Sequence, residues 1–349
     1  MRLSHLQGNP LAESAASVAW SVGRALNHGL PAAVRRGVPV DHEARFDPSA
    51  AGGSGSSLPL SPRPYAEGGN PVLTAGDVTD YGRVDFVADP FLSPGPDRWH
   101  LFFEVYNGAR DPPAVIGHAT SPGGYEWTYD RVVLNTGVHL AFPYVFEHDG
   151  DTYLLPDKGV EGVESTVFRA TEFPTDWEPV AAPVGPGPNT NDAVVFRRDG
   201  RWWLLAGDTD DHSLHVYWSD ALEADDWTPH ADNPVVEGRP RAFRPGGRPL
   251  LRDGRLVVFF HDCEEAYGHS LRAVEVTDLG PDTYADEELS PSPLLAGTGA
   301  LVGWNAGRMH HFDPHHVDGR FLCAVDGNVN TSLDTVTTAR HWSIGIYTA

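Results

Sequence analysis

Short apolar segments separated by turn residues run through the chain from residue 70 onward. Four Asp-Gly pairs, the dipeptide that favours two-residue hairpin turns, are each followed by a short apolar or aromatic run. Pro96-Asp97 holds the same place in a fifth copy, and no long stretch repeats with the period of a helix. The pattern predicts strands joined by hairpins at Asp149-Gly150, Asp199-Gly200, Asp253-Gly254 and Asp318-Gly319.

A tryptophan recurs later in the repeat, at intervals of 50 residues, as Trp127, Trp177 and Trp227. Self-similarity with a period of this size in an all-β chain indicates propeller blades. The sequence therefore predicts an all-β fold, a five-bladed β-propeller that spans residues 70–349 as a single domain.

The first 69 residues follow a different pattern. Apolar side chains at three- and four-residue spacing between residues 10 and 36 predict an amphipathic helix in an N-terminal helical extension, residues 1–47. Residues 48–69, rich in Ser, Gly and Pro, are predicted to be a linker. We expect the extension to pack on the propeller or on a partner rather than to carry chemistry.

The net charge of the chain excludes some classes of function. The chain has 48 acidic and 25 basic residues and a formal net charge of -23. Such a field repels phosphate backbones and anionic lipids, which excludes nonspecific nucleic-acid binding and a membrane-surface role. Lys158 is the sole lysine, and an acid-rich, lysine-poor surface is typical of salt-adapted proteins. We therefore expect a halophilic source, an archaeon above all, in which most acids serve solvation.

Cysteine usage and hydropathy bear on localisation. Two cysteines, Cys263 and Cys323, are too few for a disulfide framework or a cysteine-based zinc site. No run approaches the roughly 20 apolar residues of a membrane span, and the N-terminus lacks the apolar core of a signal peptide. The expectation is a cytoplasmic protein without a membrane span; the oligomeric state stays open.

Acids recur where the predicted blades meet the central channel. The innermost strand of each blade lines this channel, and its start lies beside the end of the second strand. Two innermost strands begin with Asp89 and Asp192. The second strands end at Glu104, Asp157, Asp208, Asp262 and Asp326. Crowded, desolvated carboxylates push one another's pKa values apart, and glycosidic cleavage uses such a pair, so this rim is a candidate sugar site.

Several stretches carry a resemblance to known propellers. Residues 87–91 (Val-Ala-Asp-Pro-Phe) and 99–104 (Trp-His-Leu-Phe-Phe-Glu) resemble the superfamily of arabinanases, invertases and levansucrases, above all glycoside hydrolase family 43. Stretches 142–147, 199–205, 244–248, 303–306 and 309–315 are similar to the propeller at the N-terminus of plant glucosamine inositolphosphorylceramide transferases. The resemblance covers residues 70–349 and implies a carbohydrate-active, glycosidase-like protein that acts on a glycosidic bond.

The resemblance also implies roles for single residues. Asp89 corresponds to the general base or nucleophile, and Asp192 to the aspartate that orients the sugar. The general acid of family 43, a glutamate, falls on Arg244, which cannot donate a proton at neutral pH. Either Asp157 or Asp262 takes over protonation, or hydrolysis is lost and Arg244 grips an anionic glycan or sugar phosphate in surface polysaccharide or glycolipid assembly. A protein-interaction scaffold is a third reading.

The fifth repeat contributes a histidine cluster. Family 43 enzymes often hold a channel calcium ion near a fifth-blade histidine, so the resemblance implies that His310 or His311 faces such an ion. A first-row metal with His and Asp ligands, and histidines that tie blades together by hydrogen bonds, are the alternatives. Strand alternation lets only one of this adjacent pair point into the channel. Besides Arg244, the expected sugar-binding residues are Tyr144, Trp304, His311 and Glu104.

Overall fold

The computed structural model describes residues 58–65, 69–159, 164–185, 190–300, 303–317, 319–329 and 341–349. The predicted helical extension, residues 1–47, lies outside the described residues, as do residues 48–57 of the predicted linker and Asp318.

The described chain consists almost wholly of strands arranged in five antiparallel sheets, as predicted. Strand β1 (Arg63–Pro64) and one turn of 3-10 helix (Ala75–Asp77) come first. Blade 1 contains β2 (Phe86–Pro94), β3 (Trp99–Tyr106), β4 (Ala114–Ser121) and β5 (Thr128–Leu134). Blade 2 contains β6 (Leu140–His148), β7 (Asp151–Lys158), β8 (Val167–Glu172) and β9 (Asp176–Ala181).

The remaining blades repeat this order. Blade 3 contains β10 (Thr190–Arg198), β11 (Arg201–Asp208), β12 (Ser213–Ser219) and β13 (Thr228–Pro229). Blade 4 contains β14 (Leu250–Arg252), β15 (Arg255–Asp262), β16 (Ser270–Leu279), β17 (Tyr284–Glu288) and β18 (Leu295–Ala296). Blade 5 contains β19 (Phe312–Val317), β20 (Arg320–Asn328) and β21 (Trp342–Thr348). The prediction of a five-bladed propeller is confirmed.

Three of the four Asp-Gly pairs form the predicted hairpin turns, and Asp318 of the fourth lies outside the described residues. At Asp149-Gly150 the φ angles are 51° and 91°, and at Asp199-Gly200 and Asp253-Gly254 both residues again have positive φ. Two consecutive positive φ values match the right-handed twist of the flanking strands. Aspartate and glycine are the residues that enter this conformation at low cost.

Blade 5 closes the ring with both ends of the described chain. Strand β1 pairs with β21, with Arg63 opposite Thr348 and Pro64 opposite Tyr347. Strand β1 and the buried Leu58 lie within the stretch that the sequence assigned to the linker. The ordered propeller thus reaches back to these residues.

The repeated tryptophans pack within the blades. Each indole Nε1 donates a hydrogen bond to the carbonyl three residues earlier, at 3.0 Å for Trp127, 3.0 Å for Trp177 and 2.9 Å for Trp227. The tryptophans therefore stabilise the outer turns.

No helix in the described residues is long and apolar enough to cross a bilayer.

A bulge in three innermost strands positions the site. The register of β2, β6 and β10 shifts by one residue before the strand continues. The bulged residues Asp89, Phe142 and Asp192 have φ of 52°, 43° and 54°. Bulges bend a strand and redirect a side chain, so Asp89 and Asp192 are turned by the same device in two blades.

Candidate functional site

The strand register decides which second-strand residues meet the innermost strands. Glu104 lies opposite Ala88 and Asp157 opposite Ala141. In blade 3 the corresponding residue, opposite Asn191, is Gly207, not Asp208. Asp208 follows one residue later, where side chains point to the other face of the sheet.

Asp262 is held away from the other candidate acids. Its Oδ2 accepts hydrogen bonds from Arg272 Nε at 2.9 Å and Nη2 at 2.8 Å, and its Oδ1 accepts one from the Glu264 amide at 3.0 Å. The residue before it, His261, is hydrogen-bonded through its backbone amide to the Arg244 carbonyl at 2.9 Å. The described structure therefore brings His261 to the site from this strand and engages Asp262 elsewhere.

Polar links join every pair of neighbouring blades around the channel. The Asp326 carboxylate accepts the Asp89 amide at 3.2 Å, and the Asp89 carboxylate accepts the Phe142 amide at 3.3 Å. Asn191 Nδ2 donates to Asp157 Oδ2 at 3.5 Å. Arg244 pairs with Asp192 across the next seam, and Gly246 O accepts the Phe312 amide at 2.8 Å. Most of the channel acids therefore also hold the ring together.

Arg244 is bound to Asp192 through two hydrogen bonds. Arg244 Nε donates to Asp192 Oδ2, and Nη2 donates to Oδ1 at 3.1 Å. The guanidinium also lies over the Tyr267 ring, 5.1 Å from its centroid. This two-point pairing fixes the planar group and neutralises the Asp192 charge.

Asp157 is the buried acid that titrates near neutrality. Burial, and then the charge of Asp192, raise its pKa to about 7, against the opposing effects of Arg244 and His139. A buried carboxyl group with this pKa exchanges a proton readily at neutral pH.

Asp89 lies among other acids and two histidines. Burial, and then the charges of Glu104, Asp326 and Asp192, raise its pKa well above the usual range, with Arg244 opposing. In the described structure Asp89 Oδ1 is buried and has no hydrogen-bond partner. The nearest imidazole atoms, His310 Nδ1 and His311 Nδ1, lie 3.9 and 4.0 Å away.

Both His310 and His311 place a ring nitrogen near the Asp89 carboxylate. Strand alternation predicted that only one of these two adjacent residues would point into the channel. Arg308 pairs with Asn328 and Phe312 pairs with Val325. The segment between Arg308 and Phe312 is therefore one residue longer than the segment of β20 that it faces, which interrupts the strand alternation at His310 and His311. His310 Nδ1 also lies 2.8 Å from Asp326 Oδ2. Burial lowers the pKa of His311 to about 4, which leaves that ring neutral.

Glu104 connects the cluster to a less buried residue. His139 Nε2 lies 3.3 Å from Glu104 Oε1, and the His139 side chain is 25% exposed against 8% for Glu104. The buried Glu104 is thus linked to a partly exposed histidine.

The predicted stacking residues Tyr144 and Trp304 lie in the interior. The Tyr144 hydroxyl donates to the Val195 carbonyl at 2.8 Å, and the ring packs against Phe91. Trp304 packs over Gly327 and Gly345, where any Cβ would overlap its indole. These contacts assign both rings to packing between strands and give no support to sugar stacking.

The donor atoms near His310 and His311 fit calcium poorly. Calcium takes six to eight oxygen ligands in proteins. The group of described residues that could hold an ion consists of two carboxylates and one imidazole: Asp89, His310 and Asp326. No step proposed below depends on calcium.

Three residues at the site were not assigned a role from sequence. Asp326 and His261 occupy the positions in blades 5 and 4 that Glu104 and Asp157 occupy in blades 1 and 2. Asn191 is the third residue: it donates to Asp157 and accepts a hydrogen bond from Thr209 Oγ1 at 3.1 Å. Asp326 was already among the acids that the sequence places at the ends of the second strands, and alignment of these strands by their hairpin turns would have identified His261. Asn191 carries no local signal because its role comes from the neighbouring blade.

The fold is shared with solved structures of sugar-active proteins. The catalytic domain of the Coprinopsis cinerea GH62 α-L-arabinofuranosidase has a TM-score of 0.59 and 16% identity, covering 83% of this chain and 98% of that one. The β-1,2-mannobiose phosphorylase from Listeria innocua has a TM-score of 0.59 and 13% identity, covering 82% and 96%. At these identities the likeness establishes the five-bladed fold.

Sequence similarity identifies the family. The glucosamine inositolphosphorylceramide transferase 1 of Arabidopsis thaliana is 31% identical over 274 residues, 76% of this chain and 35% of the relative. Its namesake from Oryza sativa subsp. japonica is 28% identical over 306 residues, 85% of this chain and 39% of the relative. The chain spans little more than a third of these curated relatives. Because residues 64–328 match the family model, the chain belongs to the family described as glucosamine inositolphosphorylceramide transferase 1, N-terminal.

Proposed function

We propose that the channel acts on a glycosidic bond, with Asp157 as the proton donor to the departing oxygen. Asp89 acts in its ionised form, which the charge of Arg244 favours, as the base or nucleophile on the anomeric side, and the Asp192–Arg244 pair orients the sugar. The observation that carries the proposal is the environment of Asp157, a buried carboxyl whose pKa lies at about 7. A general acid works best when its pKa lies near the working pH.

The choice of Asp157 over Asp262 follows from their hydrogen bonds. Asp262 accepts two hydrogen bonds from Arg272 and one from the Glu264 amide, so both of its oxygens are already engaged away from the other candidate acids. Asp157 accepts one long hydrogen bond, from Asn191, and its pKa lies at about 7 although the charges of Arg244 and His139 oppose protonation. In the proposed step the Asp157 proton moves to the glycosidic oxygen as its bond to the anomeric carbon breaks.

Related proteins differ in the acceptor of the sugar. The fold neighbours include a glycosidase and a phosphorylase by name, and the curated relatives are named transferases. All three reactions break a bond between an anomeric carbon and an oxygen, which is the step assigned to Asp157. We propose this shared step for the channel; the acceptor is water, phosphate or a hydroxyl group of a second sugar or lipid.

The charges of the site weigh against the alternative of anion binding. Arg244, the residue expected to grip a phosphate or carboxylate, already pairs with Asp192 through two bonds. The charges that act on buried Asp89 come from Glu104, Asp326 and Asp192, against the one cation Arg244. An anion entering here would meet repulsion, so a neutral or cationic sugar is the favoured ligand.

A panel of nitrophenyl glycosides tests this function. Wild-type protein at neutral pH should release nitrophenol from at least one glycoside of the panel, which includes furanosides, mannosides and glucosaminides. Asp157→Asn should lower the rate, though by less than the roughly 10²–10⁴-fold that a general acid usually contributes, because nitrophenol is itself a fairly acidic leaving group. The matched control is Asp208→Asn. Asp208 is a buried acid in blade 3, one residue after the position that corresponds to Asp157, and this variant should keep the wild-type rate. Saturable sugar binding without turnover would refute catalysis and leave the binding module.

A further inference from the structure

A short hydrogen-bond relay reaches Asp157 from blade 3. Thr209 Oγ1 donates to Asn191 Oδ1 at 3.1 Å, and Asn191 Nδ2 donates to Asp157 Oδ2 at 3.5 Å. Asn191 lies in β10 and Thr209 directly follows β11, whereas Asp157 lies near the end of β7 in blade 2. The relay therefore crosses a seam of the ring and ends on the proposed proton donor.

The strand pairing of blade 3 brings the two relay residues together. Asn191 lies opposite Gly207 in the β10–β11 ladder, and Thr209 comes two residues after Gly207. Residues two apart along a strand share a face, and such diagonal neighbours are within reach of each other's side chains. Gly207 carries no side chain that could stand between them. The ladder thus places the Thr209 hydroxyl beside the Asn191 carboxamide.

The orientation of the Asn191 carboxamide decides what it offers to Asp157. A carboxamide has an oxygen that accepts hydrogen bonds and an NH2 group that donates them. With its oxygen engaged by the Thr209 hydroxyl, the carboxamide turns its NH2 group to the carboxyl group. An N–H donated to Asp157 Oδ2 keeps that oxygen as the acceptor, so the proton of the neutral carboxyl group resides on Oδ1.

The length of the bond to Asp157 suits a group that must gain and lose a proton. Burial, and then the charge of Asp192, raise the pKa of Asp157 to about 7; the charges of Arg244 and His139 oppose this, and the Asn191 amide opposes it less than either. A weak effect is expected of a bond of 3.5 Å. Hydrogen bonds of catalytic groups are often long in the free protein and tighten when substrate binds.

We propose that Asn191 and Thr209 are positioning residues for Asp157. The Thr209 hydroxyl holds the Asn191 amide, and the amide holds the Asp157 carboxyl group with Oδ1 as the oxygen that carries and releases the proton. The inference rests on the proposed function, in which this proton moves to the departing glycosidic oxygen. Both residues act through Asp157.

The titration of Asp157 tests the proposal without any substrate. In protein labelled with ¹³C at the aspartate carboxyl carbons, this group gives the resonance that titrates near pH 7 and disappears in Asp157→Asn. Thr209→Val and Asn191→Leu are close in shape to the native residues and remove the hydroxyl and the amide. Because a donor to the ionised form is lost, both should raise the pKa of Asp157, with a gain in proton affinity of about threefold or more.

Two further variants serve as controls. Thr209→Ser keeps a hydroxyl and should retain the wild-type titration. Thr166→Val removes a hydroxyl that accepts a hydrogen bond from Lys158, the residue after Asp157, at 2.7 Å, and it should also leave the titration unchanged. An unchanged titration in Thr209→Val, or an equal shift in either control, would overturn the proposal. If Asn191→Leu does not fold, Thr209→Val decides alone.

The pH profile of activity supplies a second readout. A general acid works only when protonated, so kcat/KM falls as pH rises through the pKa of Asp157. Thr209→Val should lower the maximal kcat/KM and move this fall to higher pH, whereas a merely structural role would lower kcat/KM without moving the fall. If no glycoside is cleaved, the proposed function fails and the titration still judges the relay. If cleavage depends on Asp157 but its titration is the same in Thr209→Val, the relay alone fails.

Discussion

At the residue scale, the Arg244–Asp192 pair defines the chemistry of the channel. The Asp192 side chain is 2% exposed and the Arg244 side chain 14%, so neither charge is well solvated. A buried ion pair tolerates this only while both members are present. Arg244 thus stands where the resemblance placed a proton donor, and it stabilises a neighbouring carboxylate instead.

Removal of Arg244 should therefore destabilise the protein strongly. Arg244→Met leaves the Asp192 carboxylate buried and unpaired, and we expect a loss of about 3–5 kcal/mol in the free energy of unfolding at neutral pH. Arg169→Met, which breaks the exposed contacts to Glu178 and Glu223, should cost about 0–1 kcal/mol in the same denaturation experiment. Equal losses in the two variants would refute this role.

Asp157 should reveal its raised pKa in the pH dependence of stability. Its pKa is about 7 in the folded protein against 3.8 for an ordinary aspartate. The unfolded state therefore releases the proton first, and this penalty grows as pH rises from about 4 to about 7 and is constant above. Asp157→Asn should be more stable than wild type at pH 8, by about 1–4 kcal/mol, and equal to it at pH 4. A variant less stable at both pH values would contradict the assignment.

The sequence predicted part of this site. Asp89, Asp157 and Asp192 could be found because aspartates recur at matching points of the blades. Asp262 was named beside Asp157 because the sequence does not fix register, and a shift of one residue turns a side chain to the other face. Tyr144 and Trp304 look like sugar-stacking rings until their packing partners, which are distant in sequence, are known.

At the element scale, the hairpins define the strands and blades, whereas the bulges position the side chains of the candidate site. The Asp-Gly turns and repeated tryptophans are local signals, so strands and blade number could be predicted. The bulges at Asp89, Phe142 and Asp192 carry no comparable signal, because a single aspartate or phenylalanine at the start of an apolar run does not mark a bulge as an Asp-Gly pair marks a hairpin turn. The bulges, not the hairpins, direct side chains at the channel.

The seam between blades 4 and 5 depends on one glycine. Gly247 has φ of 147° and forms a parallel bridge with Phe312, whose carbonyl oxygen a Cβ at Gly247 would overlap. Gly247→Ala should lower the free energy of unfolding by about 3 kcal/mol or more, or prevent folding. Gly254→Ala, at a hairpin with φ of 79° and open space around it, should cost only about 1–2 kcal/mol. Chemical denaturation distinguishes the two, and equal effects would show that the seam tolerates a side chain.

At the scale of the whole molecule, the net charge of -23 opposes compaction. Raising KCl from about 0.1 M to about 1 M shortens the screening length from about 10 Å to about 3 Å. We expect Tm to rise over this range, and by more than in sucrose of equal osmolality, which does not screen charge. A Tm that is unchanged or falls with KCl would show that repulsion among the acids is unimportant.

Closure of the ring makes the channel one shared site rather than five separate strand ends. Four of the five seams are bridged by a carboxylate of the candidate site: Asp326, Asp89, Asp157 and Asp192. The geometry of the acids and the integrity of the ring therefore depend on each other. A change at one blade is therefore expected to alter the site contributed by its neighbour.

The most direct test of the central claim compares two leaving groups in Asp157→Asn. A glycoside with an acidic leaving group, such as dinitrophenol, departs without protonation, whereas an alkyl glycoside requires a proton donor. If Asp157 is the general acid, the variant should keep most of the wild-type kcat/KM on the dinitrophenyl glycoside and lose about 10²–10⁴-fold on the alkyl glycoside. Equal losses on both substrates would contradict proton donation by Asp157.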